Sequence, residues 1–141
     1  MDRGFQFDVK WHDNDMLEVC IGAWNGAFGG AVDVYVAIGK LRQAAEALEG
    51  FPRSATDKRE VVFGNFGRKW AGGAASMRFY CADGAGHACV ESRMESDGQV
   101  AGVTQSAVLV LGIEPAALDS FVEDLRRLEA QQRGTARLRG I

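Results

Sequence analysis

The sequence predicts an α+β fold. It is a two-layer sandwich in which one antiparallel sheet of about seven strands carries two helices on one face. Three observations lead there. Apolar and polar residues alternate with period two in segments separated by turn formers, the pattern of half-buried strands. The period changes to the helical one twice, at 38–49 and at 114–130. The layout is also duplicated: three strands and a helix, then a short strand, three strands and a helix. Two amphipathic helices can cover one face of one antiparallel sheet.

Phe5, Phe7, Val9 and Trp11 alternate with Gln6, Asp8, Lys10 and His12, which predicts a strand over 4–11 with the aromatics inward. After the turn His12-Asp13-Asn14-Asp15, a strand over 16–24 turns Leu17, Val19 and Ile21 inward. Asn25-Gly26 suits a type I′ turn, and a third strand follows over 28–37. Closure on two residues would set Val19 opposite Val32, Leu17 opposite Val34 and Glu18 opposite Asp33. In helix 38–49, Ile38, Leu41, Ala45 and Leu48 share a stripe, and Gly50 then Phe51-Pro52 end it. A short strand is expected at 60–64. Residues 65–73, with Phe66 and Trp70, read as an irregular loop.

The central hairpin has the most testable register. With 83–86 as its loop, Cys81 faces Ala88, Phe79 faces Val90 and Ala75 faces Met94. On the other face Tyr80 meets Cys89 and Arg78 meets Glu91. A one-residue slip would bury Glu91 and Arg93. A last strand is expected over 100–111, covered on both faces near its end and therefore central. In helix 114–130, Leu118, Phe121, Val122, Leu125 and Leu128 form one stripe, and Pro115 suits the first turn. Residues 1–131 thus read as a single α+β domain, and 132–141 as a mobile basic C-terminal tail bearing Arg133, Arg137 and Arg139.

Composition bounds the function. With 141 residues, 47% of them hydrophobic, the chain can bury one proper core. A net charge of −3 gives no electrostatic case for nucleic acid, and no apolar run suits a membrane span. Three cysteines without framework spacing point to reduced thiols and a cytoplasmic location.

Several constellations suggest chemistry. Cys81, Asp83, His87 and Cys89 resemble a metal set, but the hairpin register turns the two thiols to opposite faces, so no metal is expected. Cys89 with His87 lacks an orienting third group. Glu18 with Asp33 could form a carboxylate dyad, against two solvated acids on an open face. The glycines near 26–30 and 64–67 do not have phosphate-binding spacing. The larger feature is a polar sheet face carrying Arg78, Tyr80, Glu91 and Arg93, with Glu18, Asp33 and Tyr35 on the corresponding face of the first meander. Tyr and Arg are favoured interface anchors.

Certain stretches also carry a resemblance. They are Phe28-Gly29-Gly30 leading into Val32 to Val36, the helix from Leu41 to Leu48 with Gly50-Phe51-Pro52, Arg78-Phe79-Tyr80, the turn Asp83 to His87 with Ala88 to Glu91, and the helix Leu118 to Leu128. In these the chain resembles small bacterial α+β proteins, some of them similar to immunity proteins of polymorphic toxin systems. The resemblance implies a non-enzymatic α+β domain that binds a protein partner. From the residues, a partner or a second copy of the chain is expected to dock on the polar sheet face, with Tyr80 and Arg78 near the contact centre, and no cofactor is expected. The alternative from the residues is a small-molecule binder or hydrolase. Its pocket would lie between sheet and helices or at the 64–73 loop.

Overall fold

The computed structural model describes residues 2–67 and 71–141. Trp70, expected in the 65–73 loop, lies outside the described residues. In chain order the elements are β1 (Gly4–His12), β2 (Met16–Trp24), β3 (Gly29–Ala37), α1 (Lys40–Leu48), β4 (Arg59–Gly64), β5 (Ala74–Cys81), β6 (Ala88–Glu95), β7 (Ser106–Ile113), α2 (Pro115–Gln131) and β8 (Thr135–Arg139). The α+β class holds, but the single seven-stranded sheet does not. Two antiparallel four-stranded sheets form, ordered β3-β2-β1-β8 and β4-β5-β6-β7.

The sheets separate because each covers an edge of the other. Gly64, Ala74, Glu95 and Ser106 are ladder partners in turn, so they share one end of the second sheet. β3 runs across that end: Gly30 lies against Met94 and Ala107, Val32 against Gly73, and Val34 against Gly64. The Gly73 amide donates to the Asp33 carbonyl at 2.7 Å. Conversely, β7 receives the end of the first sheet. Asn25 Nδ2 donates to the Val110 carbonyl at 3.2 Å, and the Ile141 amide to the Gly112 carbonyl at 2.9 Å. Exposed strand edges invite non-native pairing, and these contacts blunt two of them.

One core lies inside. Phe7 of β1 meets Phe63 of β4 and Phe121 of α2 edge-to-face, at 5.2 and 5.3 Å between ring centres. Leu41, Ala44, Ala45 and Leu48 of α1 join it, as do Leu118, Phe121, Val122, Leu125 and Leu128 of α2. The helices therefore pack on each other and on a core shared by two sheets, not on one flat layer. Arg59 ties α1 to β4: its Nη1 donates to the Glu49 carbonyl at 2.6 Å and its Nη2 pairs with Asp57 at 2.9 Å. The Asp57 carboxyl titrates below its usual range because Arg59 hydrogen-bonds it. Among the described residues, no helix is long and apolar enough to cross a membrane.

Four further expectations are corrected. The basic tail is not free: Thr135–Arg139 forms β8 against β1, burying Ala136 and Leu138 completely. The 100–111 strand begins only at Ser106, because Ala101 and Gly102 adopt positive φ and the Val103 amide closes a turn onto Val100. Ile38 precedes its helix and is exposed. The β2–β3 loop closes on four residues, since the Asn25 side chain accepts from the amides of Ala27 and Phe28. Val19 therefore faces Val34, Leu17 faces Val36, and Glu18 faces Tyr35 rather than Asp33.

Candidate binding surfaces

The seven residues expected on one polar face divide between two sheets. Arg78 and Tyr80 project from β5, Glu91 and Arg93 from β6, on the second sheet. Each alternates with a core residue: Met77, Phe79, Val90 and Ser92 are fully buried. The β5–β6 register is the expected one, with Arg78 opposite Glu91 and Tyr80 opposite Cys89. Arg78 pairs with Glu91 at 3.3 Å, and its guanidinium lies over the Tyr80 ring at 5.1 Å. Arg93 lies over the Phe66 ring at 4.8 Å and pairs with Glu95 at 3.6 Å. Both arginine heads are thus held by an aromatic face and a carboxylate.

β7 was expected to be central and covered on both faces; it is instead an edge strand of the second sheet. Val108 sits opposite Arg93 and Val110 opposite Glu91 on the outer face, 60% and 43% exposed. Sequence reasoning missed both. The apolar residues on alternate positions of 106–113 were the signal, but burial on two faces and exposure on one leave the same pattern in a sequence.

The first sheet carries Glu18, Asp33 and Tyr35 on its outer face. Asp33 pairs with Lys10 at 3.2 Å and sits opposite Cys20. The carboxylate dyad is therefore not formed: one acid has a lysine, and the other lies beside a tyrosine. The Glu18 charge, helped by its hydrogen bond, holds the Tyr35 hydroxyl above its ordinary pKa. Burial, and then Asp33, push the Cys20 thiol up.

Trp11 was expected in the core with Phe5, Phe7 and Val9. Lys10 forms a β-bulge there: Val9 faces Val19, and the next paired residue, Trp11, faces Glu18. The extra residue reverses the alternation, so Trp11 stands on the outer face, 49% exposed. Trp11, Glu18 and Tyr35 consequently occupy one rung across three strands. Beside them, Trp11, Met16, Tyr35, Asp13, Gly64, Asn65 and Ala71 line an open cleft of about 360 Å³. Gly64, Asn65 and Ala71 belong to the 64–73 stretch, at which the sequence suggests a pocket.

The hairpin tip does not gather a metal set. His87 Nδ1 lies 2.7 Å from Asp83 Oδ2, while the Cys81 thiol packs toward the core and donates to the Ser54 carbonyl at 3.8 Å. Burial raises the Cys89 thiol, which disfavours a thiolate nucleophile. Among the described residues, no three His, Cys, Asp or Glu side chains come together as a metal site. Compared with known proteins, the chain matches no family model, no curated protein and no solved structure.

Proposed function

We propose that this is a non-enzymatic protein-binding domain, immunity-like in operation, that docks a protein partner on the outer face of the second sheet. The observation that carries the reading is the apolar strip Val108–Val110 beside Arg78 and Arg93, each stacked on an aromatic ring. Stacked arginines are pre-ordered, so a partner meeting them forfeits little side-chain entropy. The exposed valines supply apolar area to bury, at about 25 cal/mol per Å². Tyr80 and Arg78 stand near the contact centre and Glu91 completes the polar rim.

Site-specific photo-crosslinking tests this. A benzophenone residue is placed at Tyr80, and as a control at Glu123 on the exposed side of α2. The reading expects one defined protein adduct from position 80, absent from position 123 and lost when Val110→Lys is added. Equal adducts from both positions, or adducts from the helix alone, contradict it. An adduct of twice the chain mass would identify the partner as a second copy.

A further inference from the structure

The cleft beside the β1 bulge is a second and separate feature, on the other sheet. We infer that it binds an organic cation, an alkylammonium group seated between Trp11 and Tyr35 with Glu18 as its counter-charge. Four observations support this chemistry. The bulge at Lys10 turns a tryptophan out of the core, and bulges commonly re-aim a side chain at a site. Trp11 and Tyr35 flank Glu18 on one rung; the two aromatics line the cleft and the Glu18 carboxylate stands between their strands at its margin. Among the described residues, Glu18 is in no ion pair, because the neighbouring Lys10 ammonium is held by Asp33 at 3.2 Å. Asp13 adds a second anionic wall: the amides of Asp15 and Met16, each at 2.8 Å, hold its carboxyl below the usual range and therefore ionised.

Size and lining agree with that ligand. The cleft of about 360 Å³ falls within the range of small-molecule sites, ~300–1,000 Å³. Met16, Gly64 and Ala71 offer an apolar floor for an alkyl stem, while Asn65 supplies a hydrogen-bonding amide. An anion would meet the Asp13 carboxylate in the lining, the Glu18 carboxylate on the rung next to it, and the negative faces of two rings. A neutral apolar ligand would make no use of either carboxylate. A quaternary ammonium uses all of these groups, since aromatic faces attract cations and a trimethylated head is cheaply desolvated.

The cation could arrive as a free small molecule or as a lysine-type side chain of a protein, and the test separates them. Calorimetric titration uses choline, its neutral isostere 3,3-dimethyl-1-butanol, and a capped tripeptide centred on trimethyllysine. A cation should bind the intact protein at least about ten-fold more tightly than the neutral isostere. Trp11→Leu and Glu18→Gln should each weaken that binding by about five-fold or more, with the melting temperature unchanged, because both side chains lie outside the core. Tighter binding of the tripeptide would assign the site to a protein side chain, tighter binding of choline to a free cation. Equal affinity for the neutral isostere would reduce the cleft to an apolar depression. Undiminished binding to Trp11→Leu, or no cation binding at 10 mM, would overturn the inference.

Discussion

The two sheets are built from the same kind of alternating strand, yet their outer faces differ in kind. On the second sheet the β5–β6 ladder is unbroken, and each exposed arginine has a ring and a carboxylate. On the first, a single extra residue at Lys10 interrupts the ladder and brings Trp11 beside Glu18 and Tyr35. One face is satisfied internally and offers apolar area at its margin. The other leaves a carboxylate between two aromatics. The regular ladder keeps each outward charge paired with its neighbour, whereas the bulge re-aims one side chain, the indole of Trp11.

The comparison requires that both faces hang on one core, and the largest expected effect tests that. Phe7 is fully buried and touches Phe63 of the second sheet and Phe121 of α2. Phe7→Ala should cost about 3–5 kcal/mol in urea unfolding. The loss should show as one transition in which both sheets melt together. Separate transitions would mean that the sheets are independent units.

A smaller change probes the seam. An added methyl at Gly73 would lie 2.5 Å from the Glu95 carbonyl oxygen and 3.3 Å from Val32 Cβ, where β3 crosses the second sheet. Backbone blocks it on one side, so Gly73→Ala should cost about 1–3 kcal/mol, as overpacking does. It should also raise exchange of the Gly73 amide, which donates to the Asp33 carbonyl. Wild-type exchange there would show that the seam is loose. On the first sheet alone, Leu138→Ala should cost about 2–5 kcal/mol, because β8 buries that side chain completely. A mobile tail would give no loss.

The smallest effect lies at the β5–β6 tip. Asp83 hydrogen-bonds His87 and raises its pKa, while His87 lowers that of Asp83. The histidine's contribution is complete below its unfolded pKa and lost as pH rises through the folded one. The aspartate's is complete above its unfolded pKa and lost as pH falls through the folded one. The contact is therefore strongest between the two ranges. NMR titration should find His87 above the ordinary value of about 6.5, returning toward it in Asp83→Asn. An unchanged value in that variant would deny the contact.

How far the sequence could be read follows the same divide. Alternation on both flanks of 83–86 fixed the β5–β6 register to the residue, since a slip would bury Glu91 and Arg93. It failed at 4–12, where Lys10 extends an apparently perfect alternation although it is the bulged residue. Asn25-Gly26 marked its turn correctly. Its Asn25 side chain, however, holds a four-residue loop, which kept every residue on its face and changed every partner by two. The alternation of Ala136 and Leu138 was present in the sequence but too short to outweigh its arginines. Two sheets and one sheet predict the same string of elements. The distinction rests on contacts such as Gly73 with Asp33 and Ile141 with Gly112, which join residues far apart in the chain. The outward orientation of the charged and tyrosine side chains was legible; that of Val108, Val110 and Trp11 was not, because exposure of an apolar residue leaves no local signal.

The most direct measurement compares binding with stability in one variant. Arg78→Ala with Tyr80→Ala removes the stacked pair at the proposed contact centre while leaving Met77 and Phe79 in the core. Against the partner captured at position 80, the double variant should bind at least about 30-fold more weakly, equivalent to ~2 kcal/mol. Its folding stability should change by no more than about 1 kcal/mol, as expected of two exposed or half-exposed positions. Unchanged affinity in the double variant would contradict docking on the second-sheet face, as would a loss of affinity that only tracks a loss of fold.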